Sequence, residues 1–452
     1  MNATEKLAEF IVKTRLKDIS EEVIHIAKRS IIDTIGVALA AGAEPVAKSI
    51  MSYIQGTSED GSAVVIGTGM RCTPPLAALA NGTLGHALDF DDSNWSLMGH
   101  GTVAVLPAVL AQGEAQGASG KDIIEAFIVG FEIASKMGRG MNMGLYNNGW
   151  HPTSVLGAMG AVSATAHLCG LEIKKTRNAL GIAASHASGV RANFGTMTKP
   201  LHAGLAAESG VRAAGFAAAG ISANQNILEA KNGFCEAFSG VGNYQLGKIV
   251  ESLGAPFVFE EPGVNLKPYP CCMSAHPSID ALLDLVAEGK LTQKSVDEID
   301  VALMEPNFLN LGYHNPQTGL QGKFSGEYIL SRVLLDGKLT LSTFTDDAVN
   351  EPLVRKTMKK VRVHLAENVE WTPDSPRPAI VTVKTTDGRT FKKKGLISRG
   401  SAGWPLTEEE VHSKFMDCAS RSMSFECSRK LMSALIRLEN EPDIRAVMSL
   451  MV

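Results

Sequence analysis

No Cys-x-x-Cys pair occurs in the chain, and its seven cysteines are an odd number spread through 452 residues. That usage excludes a disulfide framework and a zinc-ribbon pattern. The adjacent Cys271 and Cys272 are poorly spaced to share a metal. Long apolar runs are also missing: none reaches the roughly 18 residues that a membrane-spanning helix needs. Met1-Asn2-Ala3-Thr4-Glu5-Lys6 lacks the basic region and apolar stretch of a secretory signal. Charge of one sign is scarce, because 43 Lys and Arg face 47 Asp and Glu for a net charge of -4. Nothing there recommends nucleic acid or an acidic membrane as a partner. These absences lead to the expectation of a soluble protein of a reducing cytoplasm.

What is present is enough chain for two domains and a sizeable core. From Glu5 to about Gly254 the sequence is rich in Ala, Gly, Leu, Ile, Val and Met at helical spacing, as in Val23, Ala27, Ile31, Thr34 and Ala38. Small residues crowd two of its segments: Gly157, Ala158, Gly160, Ala161 and Ala164, then Ala203, Ala206, Ala207, Gly210 and Ala214. Lys199, His202, Glu208 and Arg212 interrupt the second, so close helix packing in a soluble bundle is expected and not a membrane helix pair. Beyond residue 260 the grammar changes. Val296 to Met304, Lys360 to Leu365 and Ala379 to Thr385 alternate as half-buried strands do. Asp387-Gly388 marks a hairpin, and Pro277 to Ala287 and Gly326 to Leu335 read as helices.

The predicted fold is mainly α with an α+β second domain: a helical domain over 1–263, a small antiparallel sheet with helices on one face over 264–398, and a helical return over 399–452. Thr407 and Glu410 form a capping-box pair at the start of that return. The stretch 370–378, with its three prolines, reads as a loop.

Three polar side chains stand beside small-residue apolar segments, in Gly99-His100-Gly101-Thr102, Gly149-Trp150-His151-Pro152 and Thr198-Lys199-Pro200-Leu201-His202. A titratable group at a helix mouth binds an anion jointly with the free N–H groups there. His86-Ala87-Leu88-Asp89-Phe90-Asp91-Asp92-Ser93 adds a histidine and three carboxylates just upstream. Crowded carboxylates repel, so one can hold its proton for acid–base work, or the group can ligate Mg²⁺, or the segment is a solvated acidic loop. Gly99 and Gly101 would let a ligand approach the backbone. Lys267-Pro268-Tyr269-Pro270-Cys271-Cys272 stands at the domain junction, stiffened by its prolines. Lys323-Phe324-Ser325 with Tyr328 is a further polar group.

Taken in order, His86 to Asp92, Gly99-His100 followed by Val105-Leu106-Pro107, Asn147 to His151, Thr198 to His202, Lys267 to Cys272 and Leu334-Leu335-Asp336-Gly337 resemble the MmgE/PrpD family. That family includes 2-methylcitrate dehydratases, cis-aconitate decarboxylases and an iminodisuccinate epimerase. The resemblance implies a helical domain made from both chain ends, an inserted α+β lid, a homodimer, a site between the domains, and no metal or organic cofactor. It assigns Asp89, His100, His151 and Lys199 to catalysis. Lys267, Ser93, Tyr328, Cys272 and His202 are assigned to substrate. Ser93 falls where cis-aconitate decarboxylases carry threonine, and Cys272 where the animal enzymes carry histidine. The segment Asn94 to Gly99 also differs from the decarboxylases' loop.

The expected activity is a cofactor-independent lyase acting beside a carboxylate of a small di- or tricarboxylate. Dehydration of a 2-methylcitrate-like hydroxy acid stands slightly ahead of decarboxylation. An isomerase that removes and returns an α-proton is the alternative, and a non-catalytic polycarboxylate binder is the third reading.

Overall fold

The computed structural model describes residues 2–57, 61–367 and 377–452. The proline-rich stretch read as a loop falls almost wholly on 368–376, outside the described residues. The chain forms two compact units, Met1–Leu266 with Thr407–Val452, and Lys267–Leu406. The first is therefore built from both ends of the chain. Among the described residues, no single helix is long and apolar enough to cross a membrane.

The main helices of the first unit are α1 (Glu21–Ala40), α2 (Pro74–Ala87), α3 (Thr102–Gln116), α4 (Gly120–Met141), α5 (Pro152–Leu168) and α6 (Thr198–Ala218). In the second unit α7 (His276–Gly289) and α8 (Gly326–Asp336) are the longest, and α9 (Glu408–Ala419) opens the return to the first. Several starts have a chemical reason. Ser20 accepts from Val23 N ahead of α1, Pro152 takes the first position of α5, and Thr407 and Glu410 make a reciprocal capping box on α9.

Every residue of α5 from Pro152 to Ala166 is buried, which is how a helix at the centre of a bundle behaves. Its small residues serve close approach, since a Cβ on Gly157 would lie 2.6 Å from that of Ala104. Gly204 on α6 is the tightest case in this group. A Cβ there would sit 2.2 Å from the Leu79 carbonyl oxygen and 2.3 Å from Thr83 Oγ1 on α2. Backbone cannot yield as a side chain can, so Gly204→Ala is expected to destabilise the protein by about 2 kcal/mol or more, read from urea denaturation.

The sheet of the second unit has strands β1 (Val296–Leu303), β2 (Val361–Leu365), β3 (Ala379–Thr385) and β4 (Thr390–Gly395), in spatial order β2-β1-β3-β4. β1 pairs antiparallel with β3, and β3 with β4 through the Asp387-Gly388 turn. β1 and β2 are parallel, with Ile299 opposite Val361 and Val301 opposite Val363. The sheet is thus mixed and not antiparallel as expected. The reason is the connection: residues 304–360 form a long helical crossover, which returns the chain in the same direction, whereas a short hairpin reverses it. Val296, Ile299 and Val301 share one core with Ile279, Leu282 and Leu285 of α7 and with Ile329, Leu330 and Val333 of α8. β4 forms an edge studded with Lys392, Lys393 and Lys394, a residue type that discourages further strand pairing.

Candidate active site

The first unit gathers four of its polar segments at one place. α2 ends at Ala87, and the chain turns through Asp89, whose φ of +50° lies in the left-handed region. Aspartate tolerates that region better than bulkier residues do. The turn carries the carboxylates inward: Asp89, Asp91 and Asp92 are all buried, so the solvated-loop reading fails.

Asp91 is the hub. Its Oδ1 lies 2.9 Å from His86 Nδ1 and its Oδ2 2.9 Å from His100 Nδ1. His100 Nδ1 is also 2.6 Å from the Asp92 carbonyl oxygen. A carbonyl only accepts, so Nδ1 carries the hydrogen and Nε2 is the nitrogen left for chemistry. That Nε2 lies 3.7 Å from Asp89 Oδ1, and Lys199 Nζ is 3.0 Å from the same oxygen. Lys199 itself stands within the first turn of α6, not ahead of it. The ring centres of His86 and His100 are 4.4 Å apart, and those of His86 and His151 6.4 Å.

Burial pulls the protonation states in different directions. It would raise Asp91, but the adjacent His86 and His100 carry its pKa well below the usual carboxylate value. Asp92 has no such cation; burial, with Asp91 and Asp33 nearby, pushes it up to about 7 against the hydrogen bond from the Thr102 hydroxyl. One of the crowded acids therefore does hold a proton far above its ordinary range. His86 is pushed down to about 3 by burial and by the Lys199 charge, despite its contact with Asp91.

His151 caps α5, and its Nδ1 lies 3.1 Å from Nδ1 of His202 on α6. Burial, then the Lys199 charge and the neighbouring histidines, hold His151 well below its ordinary value. Burial and Lys199 likewise lower His202 to about 4. Both rings are neutral at pH 7, and one Nδ1 must donate while the other accepts. When His202 donates, His151 carries its hydrogen on Nε2. His202 thus orients His151.

The depressed His202 has a measurable consequence. A free histidine titrates near 6.5, so as pH falls from about 6.5 towards 4 the unfolded chain takes up a proton that the folded site refuses. Stability of the wild type relative to His202→Asn is expected to be constant above pH 6.5 and to fall by on the order of 2 kcal/mol by pH 4.5, after allowance for solvent screening. Denaturant titrations across that range measure it, and a pH-independent difference contradicts it.

Other expected residues find different surroundings. Gly99 and Gly101 lie close against protein: a Cβ on Gly99 would lie 2.8 Å from Thr153 Oγ1, and one on Gly101 2.5 Å from the Phe131 ring. Ser93 pairs through its backbone with Asn265, and Asn94 is buried with its amide on the Gly263 carbonyl. In the second unit Lys267 is fully buried, and the half-buried Cys272 donates its N–H to the Lys323 carbonyl. Tyr328 is a core residue there, packed against Phe344 with its hydroxyl donating to the Thr343 carbonyl. Ser325 caps α8 and Gly337 ends it, which explains two of the polar motifs as helix boundaries.

The Mg²⁺ set of Asp89, Asp91 and Asp92 does not assemble, because Asp92 turns to Thr102. His86, Asp89, Asp91 and His100 do bring ligand atoms within 4.8 Å of one another. Yet Asp91 already holds two imidazole N–H groups and Asp89 an ammonium, so a cation there would have to displace the lysine.

Sequence reasoning passed over His86 as an orienting group and Asp91 as the hub. Their spacing of five residues across a helix end was the available signal.

Comparison with known proteins finds relatives over nearly the whole chain. The chain is 31% identical over 468 residues to the cis-aconitate decarboxylase of Homo sapiens, covering 99% of this chain and 94% of that one. It is 29% identical to the Mus musculus cis-aconitate decarboxylase, covering 98% and 92% of the two chains. For a cis-aconitate decarboxylase of Aspergillus terreus the figures are 27% identity, 99% and 95%. Residues 5–246 match the MmgE/PrpD N-terminal domain and residues 269–438 the MmgE/PrpD C-terminal domain, so the chain belongs to the MmgE/PrpD family.

Proposed function

We propose that this protein is a cofactor-independent lyase that breaks a bond beside a carboxylate of a small tricarboxylate, with decarboxylation of a cis-aconitate-like acid as its reaction. The observation that carries the reading is the buried Lys199–Asp89 and His100–Asp91 pairing, found in a chain similar over its whole length to cis-aconitate decarboxylases. Similarity to those enzymes moves decarboxylation ahead of dehydration, although Cys272 and the Asn94 to Gly99 segment depart from the decarboxylases' pattern.

In this reading the C–CO₂⁻ bond breaks and its electron pair stays on carbon, delocalised toward the neighbouring unsaturated carboxylate. Water stabilises such charge poorly. The Lys199 ammonium, fixed at the first turn of α6, meets the carboxylate oxygens where the charge grows. Lys267 is the second cation assigned to substrate. His100, held through Nδ1 by Asp91, delivers a proton from Nε2 to the carbanion, and Asp91 offsets the imidazolium charge beforehand. CO₂ leaves, the double bond shifts by one position, and one proton adds at the carbon beside the remaining unsaturated carboxylate. The neutral His151–His202 pair donates a hydrogen bond without adding charge.

A second reading has support in the same geometry. Two separately oriented histidines also suit removal and return of an α-proton, or loss of water. Incubating cis-aconitate, 2-methylcitrate and an imino-dicarboxylate with the enzyme in D₂O and following each by NMR separates the three. CO₂ loss with one deuterium in the product supports the proposal; water loss supports a dehydratase; deuterium in an otherwise unchanged substrate supports an isomerase. Binding without any turnover leaves a polycarboxylate-binding protein. Because Lys199 already occupies Asp89, activity is expected to be unchanged by excess EDTA, and loss restored by Mg²⁺ contradicts this assignment. The reading includes a homodimer, which sedimentation equilibrium measures.

A further inference from the structure

α9, on the returning C-terminal segment, packs against α1, where a Cβ on Gly36 would lie 3.2 Å from the Phe415 Cα. Beside that contact Lys414 Nζ lies 2.7 Å from Asp33 Oδ1, with the Asp33 side chain fully buried and that of Lys414 8% exposed. The same ammonium donates to the Phe90 carbonyl oxygen at 2.7 Å and stands 3.7 Å above the centre of the Phe90 ring. Phe90 separates Asp89, which holds Lys199, from Asp91, which holds His86 and His100.

We propose that Lys414 is a positioning residue for the acid–base pair, fixing the peptide plane between Phe90 and Asp91, with Asp33 as its buried counter-ion. The carbonyl of Phe90 belongs to the peptide bond that leads into Asp91. Rotating that plane swings the Asp91 carboxylate away from His86 Nδ1 and His100 Nδ1 together. A donor on the carbonyl prevents the rotation, and an ammonium suits the task because its three hydrogens serve the Asp33 carboxylate and the carbonyl at once. A buried ion pair adds little stability over apolar side chains of the same volume. What this pair adds is a fixed side-chain donor to the main chain of the catalytic turn. The neighbouring titratable groups are Arg29, Asp91 and Asp92: Arg29 supplies a second positive charge near Asp33, Asp91 supplies negative charge, and Asp92 is pushed up to about 7.

The inference rests on His100 and Asp91 being the proton-transfer pair, and its test has one arm that needs no substrate. Lys414→Met alone strands Asp33, so the double variant Asp33→Asn/Lys414→Met is used, with Asp33→Leu/Lys414→Met as the fully apolar second version. Each is checked for wild-type circular dichroism. The expected result is a kcat about tenfold to a hundredfold lower, with KM within about twofold of the wild type. In ¹H–¹³C spectra the His100 ring signals, assigned by their loss in His100→Gln, move, while those of the more distant His151 stay. Unmoved His100 signals in either folded variant overturn the proposal, as does an unchanged kcat. Inactivity of the wild type across the substrate panel sinks the reading of the reaction and leaves the spectroscopic arm to decide this one.

Discussion

Lys199→Ala is expected to lower kcat/KM by about a thousandfold or more on the best substrate of the panel, the largest loss from any single substitution in the first unit. Two separate effects combine. The variant loses the fixed cation that meets the developing negative charge, and the loss of one such group typically costs about 10²–10³ in rate. It also takes from Asp89, a buried carboxylate in the same turn as Asp91 and Asp92, the ammonium 3.0 Å away. An uncompensated buried charge costs about 3–5 kcal/mol when its partner is removed. Lys199→Ala/Asp89→Asn tells the effects apart. It relieves the stranded charge, so stability in urea returns toward the wild type while turnover stays low. Recovery of turnover with stability would show that Lys199 serves the fold and not the substrate.

The second large effect concerns the histidines. His100→Gln/His151→Gln is expected to retain less than about 10⁻³ of wild-type kcat, since a positioned acid or base contributes roughly 10²–10⁴. The two single variants should differ. His100 is the proton carrier backed by Asp91, so His100→Gln loses most of the rate, and the deuterium placed in the product in D₂O loses its stereochemical preference as water replaces the ring. His151 is a neutral hydrogen-bond partner held by His202, so His151→Gln, which keeps an N–H, loses less. Turnover and product stereochemistry preserved in the double variant would remove both residues from the chemistry.

Much of this site was legible because its residues sit at helix ends. His100, His151 and Lys199 each stand beside a small-residue helix, and the types that start helices, proline and glycine among them, are visible in a sequence. Alternation likewise gave the strands of the second unit, and Thr407 with Glu410 marked the return helix to the residue. The parallel pairing of β1 and β2 was not legible, because alternation states which face is buried and is silent on strand direction. The glycines flanking His100 were ambiguous for a related reason. A missing Cβ signals a close approach, but the sequence does not say whether ligand or protein approaches, and here Thr153 and Phe131 do.

The sequence by itself determined which chemistry was available: a set of histidines, carboxylates and lysines, the helices that carry them, and a family resemblance that runs the length of the chain. Only the tertiary structure decided how they divide the work. Asp89, Asp91 and Asp92 are alike in the sequence, yet one pairs with Lys199, one gathers two imidazoles and one keeps its proton near pH 7. The reason is that a carboxylate's state depends on its burial and on the nearest charge, and those neighbours come from segments up to 110 residues away. Lys414, 324 residues beyond the Phe90 carbonyl that it holds, has no local signal at all.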